Sequence, residues 1–274
     1  MDGLEQADFE LLVDRLPVRF DIDTTVQPLA LVVAVQTNAA AAAAISKIRR
    51  MGSLIEPLLT GDRGQAAVLT FDDELRQRAP FTSDGEVLAR TFRGMAGSGT
   101  NSRLIDAVEE SIRLLKDGPR DRRRVILLIG ESRDRGSKAE LSEVSTLAQR
   151  ENVSVYFLTY SPFLSQWAVK PNEIPPAGYA GGNLIAIFSE LARLGKDNAA
   201  DAFTRFTGGR RIQFLQLRGL EQAVTAIGEE LYSQYLLSFT PPAEARGDFH
   251  PIEVRVRRAG VTVRTRPGYW LSGP

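Results

Sequence analysis

The sequence predicts an α/β fold, a doubly wound and mostly parallel sheet flanked by helices, with a small antiparallel β appendage drawn from the two termini. Three observations predict it. Runs of strand length at 29–35 (LALVVAV), 65–71 (QAAVLTF), 124–129 (RVILLI) and 153–160 (VSVYFLTY) are continuously apolar, as strands covered on both faces are. The segments between them carry helical periodicity, and strands alternating with helices imply a parallel sheet. From residue 234 the pattern changes to the alternation of IEVRVRR and VTVRTR, that of an antiparallel sheet with one face in water.

Taken in order, residues 7–20 (ADFELLVDRLPVRF) alternate loosely around Pro17, which suits an edge strand or a short two-strand segment. After the run at 29–35, Asn38 can cap a helix that passes through six alanines to about residue 59, with Pro57 near its end. The run at 65–71 is followed by a strand over 74–81 returning beside it. A short helix over 82–93 then begins near Ser83 or Asp84. Residues 97–100 form a loop, and a helix over 102–116 presents Leu104, Ile105, Val108, Ile112 and Leu115 on one face. Ser137 and Glu140 make a capping box for a helix over 137–150.

The Pro- and Gly-rich stretch 161–183 is long for a loop in a compact domain, so it is either functional or mobile. Residues 184–194 and 199–206 read as helices, 211–214 as a short strand and 219–233 as the last helix. Three strands follow over 235–239, 251–257 and 261–266. The expected division is an α/β domain over 25–233, with a small β-subdomain of 4–20 plus 234–271 packed on it.

Lys plus Arg and Asp plus Glu both number 34, so no global field draws the chain to nucleic acid or an anionic membrane. There is no cysteine, which removes disulfides, thiolate metal sites and cysteine nucleophiles. The longest apolar stretch, 29–45, is broken by Gln36, Thr37 and Asn38 and is too short to span a bilayer. The N-terminus has neither the basic nor the apolar region of a signal peptide. Neither a nucleic-acid partner nor membrane insertion is therefore expected.

In a doubly wound sheet, ligands bind beyond the carboxyl ends of the strands at the switch point. The segments 36–40, 97–101 and 130–137 should lie there. PLALVVAVQTNAA at 28–40, GSGTNSRLIDAVEESI at 97–112 and RRVILLIGESRDRGS at 123–137 resemble the three loops of von Willebrand A domains. The segments at 4–20, 235–242 and 249–270 are similar to the ends of the bacterial VWFA-related proteins, and the Gly-Tyr of 268–269 is the more specific match. The resemblance covers nearly the whole chain. It implies a Rossmann-like fold, a protein-binding role, and an exported or envelope location.

In that family the three loops build a metal ion-dependent adhesion site with the pattern Asp-x-Ser-x-Ser. Here Gln36 stands at the first aspartate and brings no charge, Asn38 stands at the first serine, and Ala40 stands at the second and offers no oxygen. Thr100 matches the family threonine, and Glu131 replaces the final aspartate. A hard divalent cation needs several oxygens, carboxylates among them, so the resemblance implies a degenerate site, with no cofactor and no catalysis. The remnant binding residues are Gln36, Asn38, Thr100, Asn101, Glu131, Ser132 and Asp134. They form either a quiet loop set or a network in which Gln36, Asn38, Thr100 and Glu131 hydrogen-bond one another.

Two alternatives stay open. One is a Mg²⁺- or Ca²⁺-dependent adhesion site rebuilt from Glu131, Thr100, Asn38 and Asp134. The other is a hydrolase using Ser132, although the one histidine, His250, is poorly placed as its base and reads as a solvent-facing strand residue. Arg120, Arg122, Arg123 and Arg124 read as a solvated basic loop, with contact to an anion or acidic partner as the minority option. Phe163, Trp167 and Tyr179 in the long loop are possible interface aromatics. The alanine run allows close helix–sheet packing or offers a flat contact face.

Overall fold

A computed structural model describes residues 3–23, 27–97, 99–160, 195–214, 217–241 and 249–271. Phe163, Trp167 and Tyr179, and the helix expected over 184–194, lie outside the described residues. The short strands β1 (Phe9–Val13), β2 (Leu16–Pro17) and β3 (Asp21–Asp23) come first, followed by β4 (Leu29–Gln36). Every residue of β4 is buried, because helices cover both of its faces. Around it stands a six-stranded sheet in the order β6-β5-β4-β7-β8-β9. It comprises β5 (Gln65–Phe71), β6 (Leu75–Thr82), β7 (Arg123–Gly130), β8 (Val153–Thr159) and β9 (Arg211–Gln213). All pairings are parallel except that of β6 with β5, which matches the predicted fold class.

Alternate residues of β4 feed opposite cores. Leu29, Leu31, Val33 and Val35 pack toward α1 (Ala42–Ile48), α2 (Gly52–Ile55), α3 (Gly85–Arg93) and the long C-terminal helix. Ala30, Val32 and Ala34 pack toward α4 (Leu104–Asp117), α5 (Leu141–Arg150) and α6 (Ala199–Thr207). The C-terminal helix is α7 (Leu217–Tyr232). The chain steps from β4 to β5 on one side and later to β7 on the other. The switch point therefore lies between the carboxyl ends of β4 and β7.

Two local expectations need correction. The single helix from Asn38 to about residue 59 is broken into a 3₁₀ turn (Ala39–Ala41), α1, α2 and a π-turn (Glu56–Thr60). Pro57, which has no N–H to donate, lies inside that π-turn, and the amide of Gly61 donates to Glu56 O five residues back. Gly52 marks the start of α2, since a Cβ there would come within 2.8 Å of the Ala89 backbone in α3. Ser137 does not cap α5, whose N-cap is Glu140; its hydroxyl is used by Asp134 and Asp106 instead. Asn38 does cap as predicted, its Oδ1 accepting from the Ala41 amide at 3.1 Å. Of the alanine run, Ala41 and Ala44 are buried while Ala39, Ala40, Ala42 and Ala43 face outward.

The termini form the predicted antiparallel sheet, in the order β12-β11-β1-β2, where β11 is Phe9's partner strand Phe249–Val256 and β12 is Gly268–Trp270. Asp14 and Arg15 both have positive φ, the backbone that a two-residue hairpin between right-twisted strands requires. Strand β10 (Leu236–Ser238) pairs separately with β3. The strand expected over 261–266 is absent. The alternating arginines of that segment reach the α/β layer instead, Arg264 to Glu230 at 2.5 Å and Arg266 to Asn152 at 2.8 Å. The ladder is closed by β12, which begins two residues on.

Two further readings are overturned. His250 is buried, its Nδ1 2.7 Å from Asp14 Oδ2 and its ring stacked on Tyr269. Three of the four clustered arginines are tied down. Arg122 bonds Arg63 O, Arg123 bonds Leu231 O and Gln234, and Arg124 bonds Glu151. Among the described residues no helix is long and apolar enough to cross a membrane.

Candidate functional site at the carboxyl ends of the strands

The structure gathers the loops at 36–40, 97–101 and 130–137 at one end of the sheet, where a parallel topology must place them. Within them, Gln36 is fully buried and bridges two loops. Its Nε2 donates to Asn38 Oδ1 at 2.9 Å, and its Oε1 accepts from the Glu131 amide at 2.8 Å. Gly130 is glycine because a Cβ there would come within 2.6 Å of Gln36 Oε1. Asn38 Oδ1 thus carries two bonds, one from Gln36 and one from the cap of the following turn.

Thr100 and Asn101 are held by a residue that sequence reasoning passed over. The Asp73 carboxylate accepts from the Thr100 amide (2.9 Å) and hydroxyl (3.2 Å), and from the Asn101 amide (3.1 Å) and side chain (2.6 Å). The Thr100 amide is the main cause that holds the Asp73 carboxyl below its ordinary value; burial opposes it, and the Asn101 amide and side chain and the Thr100 hydroxyl add to the lowering. Asp72, buried beside it, accepts from the Thr37 hydroxyl at 3.0 Å and pairs with Arg76. The signal was an aspartate doublet directly after an apolar strand. Parallel register carries β5 to the same end as β4 and β7, so its following residues belong to the same face.

The glycines of 97–99 serve close packing, as a Cβ on Gly97 would meet Thr37 O at 2.5 Å and one on Gly99 would meet Asp72 Cβ at 2.4 Å. Asp134 is buried, and its Oδ1 accepts from the Ile105 amide at the start of α4 and from Ser137 Oγ. Asp106, also missed, accepts from the amides of Lys138 and Ala139 and from Arg103. Burial pushes its carboxyl up, but those donors outweigh burial and hold it below 3.8. The backbones of Ser102 and Arg135 exchange two bonds and zip the last two loops together.

Of the anticipated four-residue network, the structure brings together Gln36, Asn38 and the backbone of Glu131. Thr100 belongs to Asp73 instead. The Glu131 carboxylate has one covered oxygen, Oε2, with no hydrogen-bond partner among the described residues. The Tyr160 hydroxyl is also covered and has no partner among the described residues. Burial first, and the Glu131 charge second, push that hydroxyl far above the ordinary phenol value. Ser132 is half-buried, and its carbonyl accepts from the Ala200 amide. The oxygens of Asn38, Thr100 and Asp134 are engaged within the protein, so the set does not fit a hard divalent cation. Among the described residues no group of three or more His, Cys, Asp or Glu side chains is arranged to hold a metal.

A pH dependence follows from Asp73 and Asp106. Both have folded-state values below 3.8, so each contributes stability that is present above that value and lost as pH falls through its folded value. Thermal midpoints should start to fall below about pH 4 from this cause. An Asp106→Asn variant, which has no charge there to lose, should fall less over the same range.

The central sheet with its switch-point loops defines the protein as a von Willebrand A-type fold. It is similar to a von Willebrand factor type A structure from Catenulispora acidiphila (TM-score 0.55, 11% identity, 82% of this chain and 49% of that one). It is also similar to the conserved hypothetical protein BatB from Bacteroides thetaiotaomicron (0.53, 15%, 75% and 100%). A third is an aerotolerance-related membrane protein from Bacteroides fragilis (0.50, 13%, 74% and 99%). No protein-family profile matches the sequence, and no curated protein does.

Proposed function

We propose that the chain is a non-catalytic protein-interaction module of von Willebrand A type that binds another protein through these loops without a metal ion. The observation that carries this reading is the internal use of the candidate ligands. Gln36 contributes an amide that links two loops, and Asp73 holds Thr100 and Asn101 in the role a cation would otherwise fill. What the loops leave exposed is a mixed surface of Ala39, Ala40, Asp73, Asn101, Arg133 and Arg135. The absence of catalysis is supported by His250, whose described hydrogen-bond partner is Asp14 of the small sheet rather than Ser132. That a protein of similar fold is a membrane protein supports an envelope location.

Calorimetric titration with Mg²⁺, Mn²⁺ and Ca²⁺ should show no saturable binding tighter than about 1 mM. Partner capture from the native envelope should survive EDTA and be lost on placing a bulky charge in the surface with Ala40→Arg. Tight cation binding, or capture that EDTA abolishes, would sink the metal-free reading. The covered Glu131 oxygen beside the Tyr160 hydroxyl favours one second reading, a cation held by Glu131 with atypical ligands, and the same titration decides between them.

A further inference from the structure

The turn Arg150–Glu151–Asn152 joins α5 to β8 at the end of the sheet opposite the candidate site. Four cations meet on it. Lys116 Nζ lies 2.8 Å from Glu151 Oε1, and Arg124 Nη1 lies 3.0 Å from Glu151 Oε2. Arg266 Nη1 donates to Asn152 Oδ1 at 2.8 Å, and the Arg150 guanidinium sits 4.9 Å from the centre of the Trp270 ring. Among the described residues one carboxylate, that of Glu151, answers all four, which leaves an excess of three positive charges. Elsewhere arginines find acids: Arg210 and Arg264 share Glu230, Arg211 takes Asp201 and Arg133 takes Asp197. Arg150 and Arg266 have no carboxylate at ion-pair distance among the described residues.

The groups that orient these two are themselves fixed. Trp270 Nε1 donates to Gln149 Oε1 at 3.1 Å, and Gln149 Nε2 donates to Phe206 O at 2.8 Å. Asn152 sits in the left-handed region with φ 54°, which turns its amide back toward Arg266. The Arg266 backbone passes against Gly208, where a Cβ would come within 2.8 Å of its nitrogen. Burial also holds the Arg266 guanidinium below its ordinary value. A partly desolvated cation held only by a neutral amide is costly unless an anion completes it.

We propose that this corner is a binding site for a doubly charged phosphate-type oxyanion, received by the guanidinium groups of Arg266 and Arg150. Planar guanidinium forks match paired phosphate oxygens, and an excess of three charges favours a dianion over a single carboxylate. The ligand is either free phosphate or a phosphoryl group on a partner segment. The site uses no residue of the loops at the other end of the sheet, so it stands or falls independently of them.

The test is calorimetry on the full chain at low salt, with inorganic phosphate as one probe and a phosphoserine peptide as the other. Saturable binding is expected, weakened roughly tenfold in Arg266→Gln and severalfold in the more exposed Arg150→Gln, with thermal midpoints reporting that both variants are folded. Tighter binding of the peptide than of phosphate assigns a phosphorylated partner, and equal binding assigns the free anion. Binding that chloride at matched ionic strength abolishes, or that both variants retain, overturns the site.

Discussion

Asp106→Ala should lower the stability of the fold by about 3 kcal/mol, the range for breaking a covered, charge-assisted network by removing one partner. The Asp106 carboxylate is nearly inaccessible and binds Arg103 at 2.6 Å, together with the amides of Lys138 and Ala139. Its loss leaves two backbone donors without acceptors and one guanidinium with a weaker partner. It also removes the tie between α4 and the loop that precedes α5. For a chain of this size the corresponding fall in Tm is about 6–12 °C. Chemical denaturation of the variant measures it, and Asp106→Asn, which keeps an acceptor oxygen, should recover part of the loss. A change under about 0.5 kcal/mol, typical of an unconstrained surface site, would show that the loop does not depend on this carboxylate.

Gly209→Ala should cost about as much for a different reason. A Cβ at Gly209 would lie 1.9 Å from Val155 O in β8, a backbone atom that cannot move without shifting the strand. Gly208 before it ends α6 in the left-handed region, with φ 73°. The pair thus turns the chain out of α6 and brings it against β8, where Arg210 O receives the Phe157 amide. Overpacking of this kind costs roughly 1–3 kcal/mol, and the upper end is expected because the obstacle is backbone. The loss should appear in thermal denaturation and in faster hydrogen exchange along β8 and β9. A midpoint within about 1 °C of the wild type would contradict the close approach.

Much of the candidate site was legible because its scaffold is written in apolar runs. A buried parallel strand cannot alternate, so β4, β5, β7 and β8 announce themselves, and their carboxyl ends must share one edge. Gln36, Asn38 and Thr100 could therefore be placed before their contacts were known. The bonds they make could not. Whether Thr100 turns to Glu131 or to Asp73 depends on angstrom-scale loop approach, which Gly97 and Gly99 permit and no spacing rule encodes. Charges were misread for a similar reason. The arginines at 122–124 read as a solvated loop and those at 264 and 266 as part of an alternating strand, yet their long stems reach carbonyls and carboxylates far away in the chain, such as Leu231 O and Glu230.

By itself the sequence determined the α/β class, the mostly parallel sheet with its antiparallel companion, and the edge of the sheet at which the three loops gather. These follow from periodicity and residue chemistry, which are local properties. Only the tertiary structure decided which oxygens remain free. It closed Asn38, Thr100 and Asp134 into internal bonds, left one Glu131 carboxylate oxygen and the Tyr160 hydroxyl covered without hydrogen-bond partners among the described residues, and drew Lys116, Arg124, Arg150 and Arg266 to one turn. Hydrogen bonds and ion pairs act over a few ångströms between residues distant in the chain, so the fold selects the partners that composition and spacing leave open.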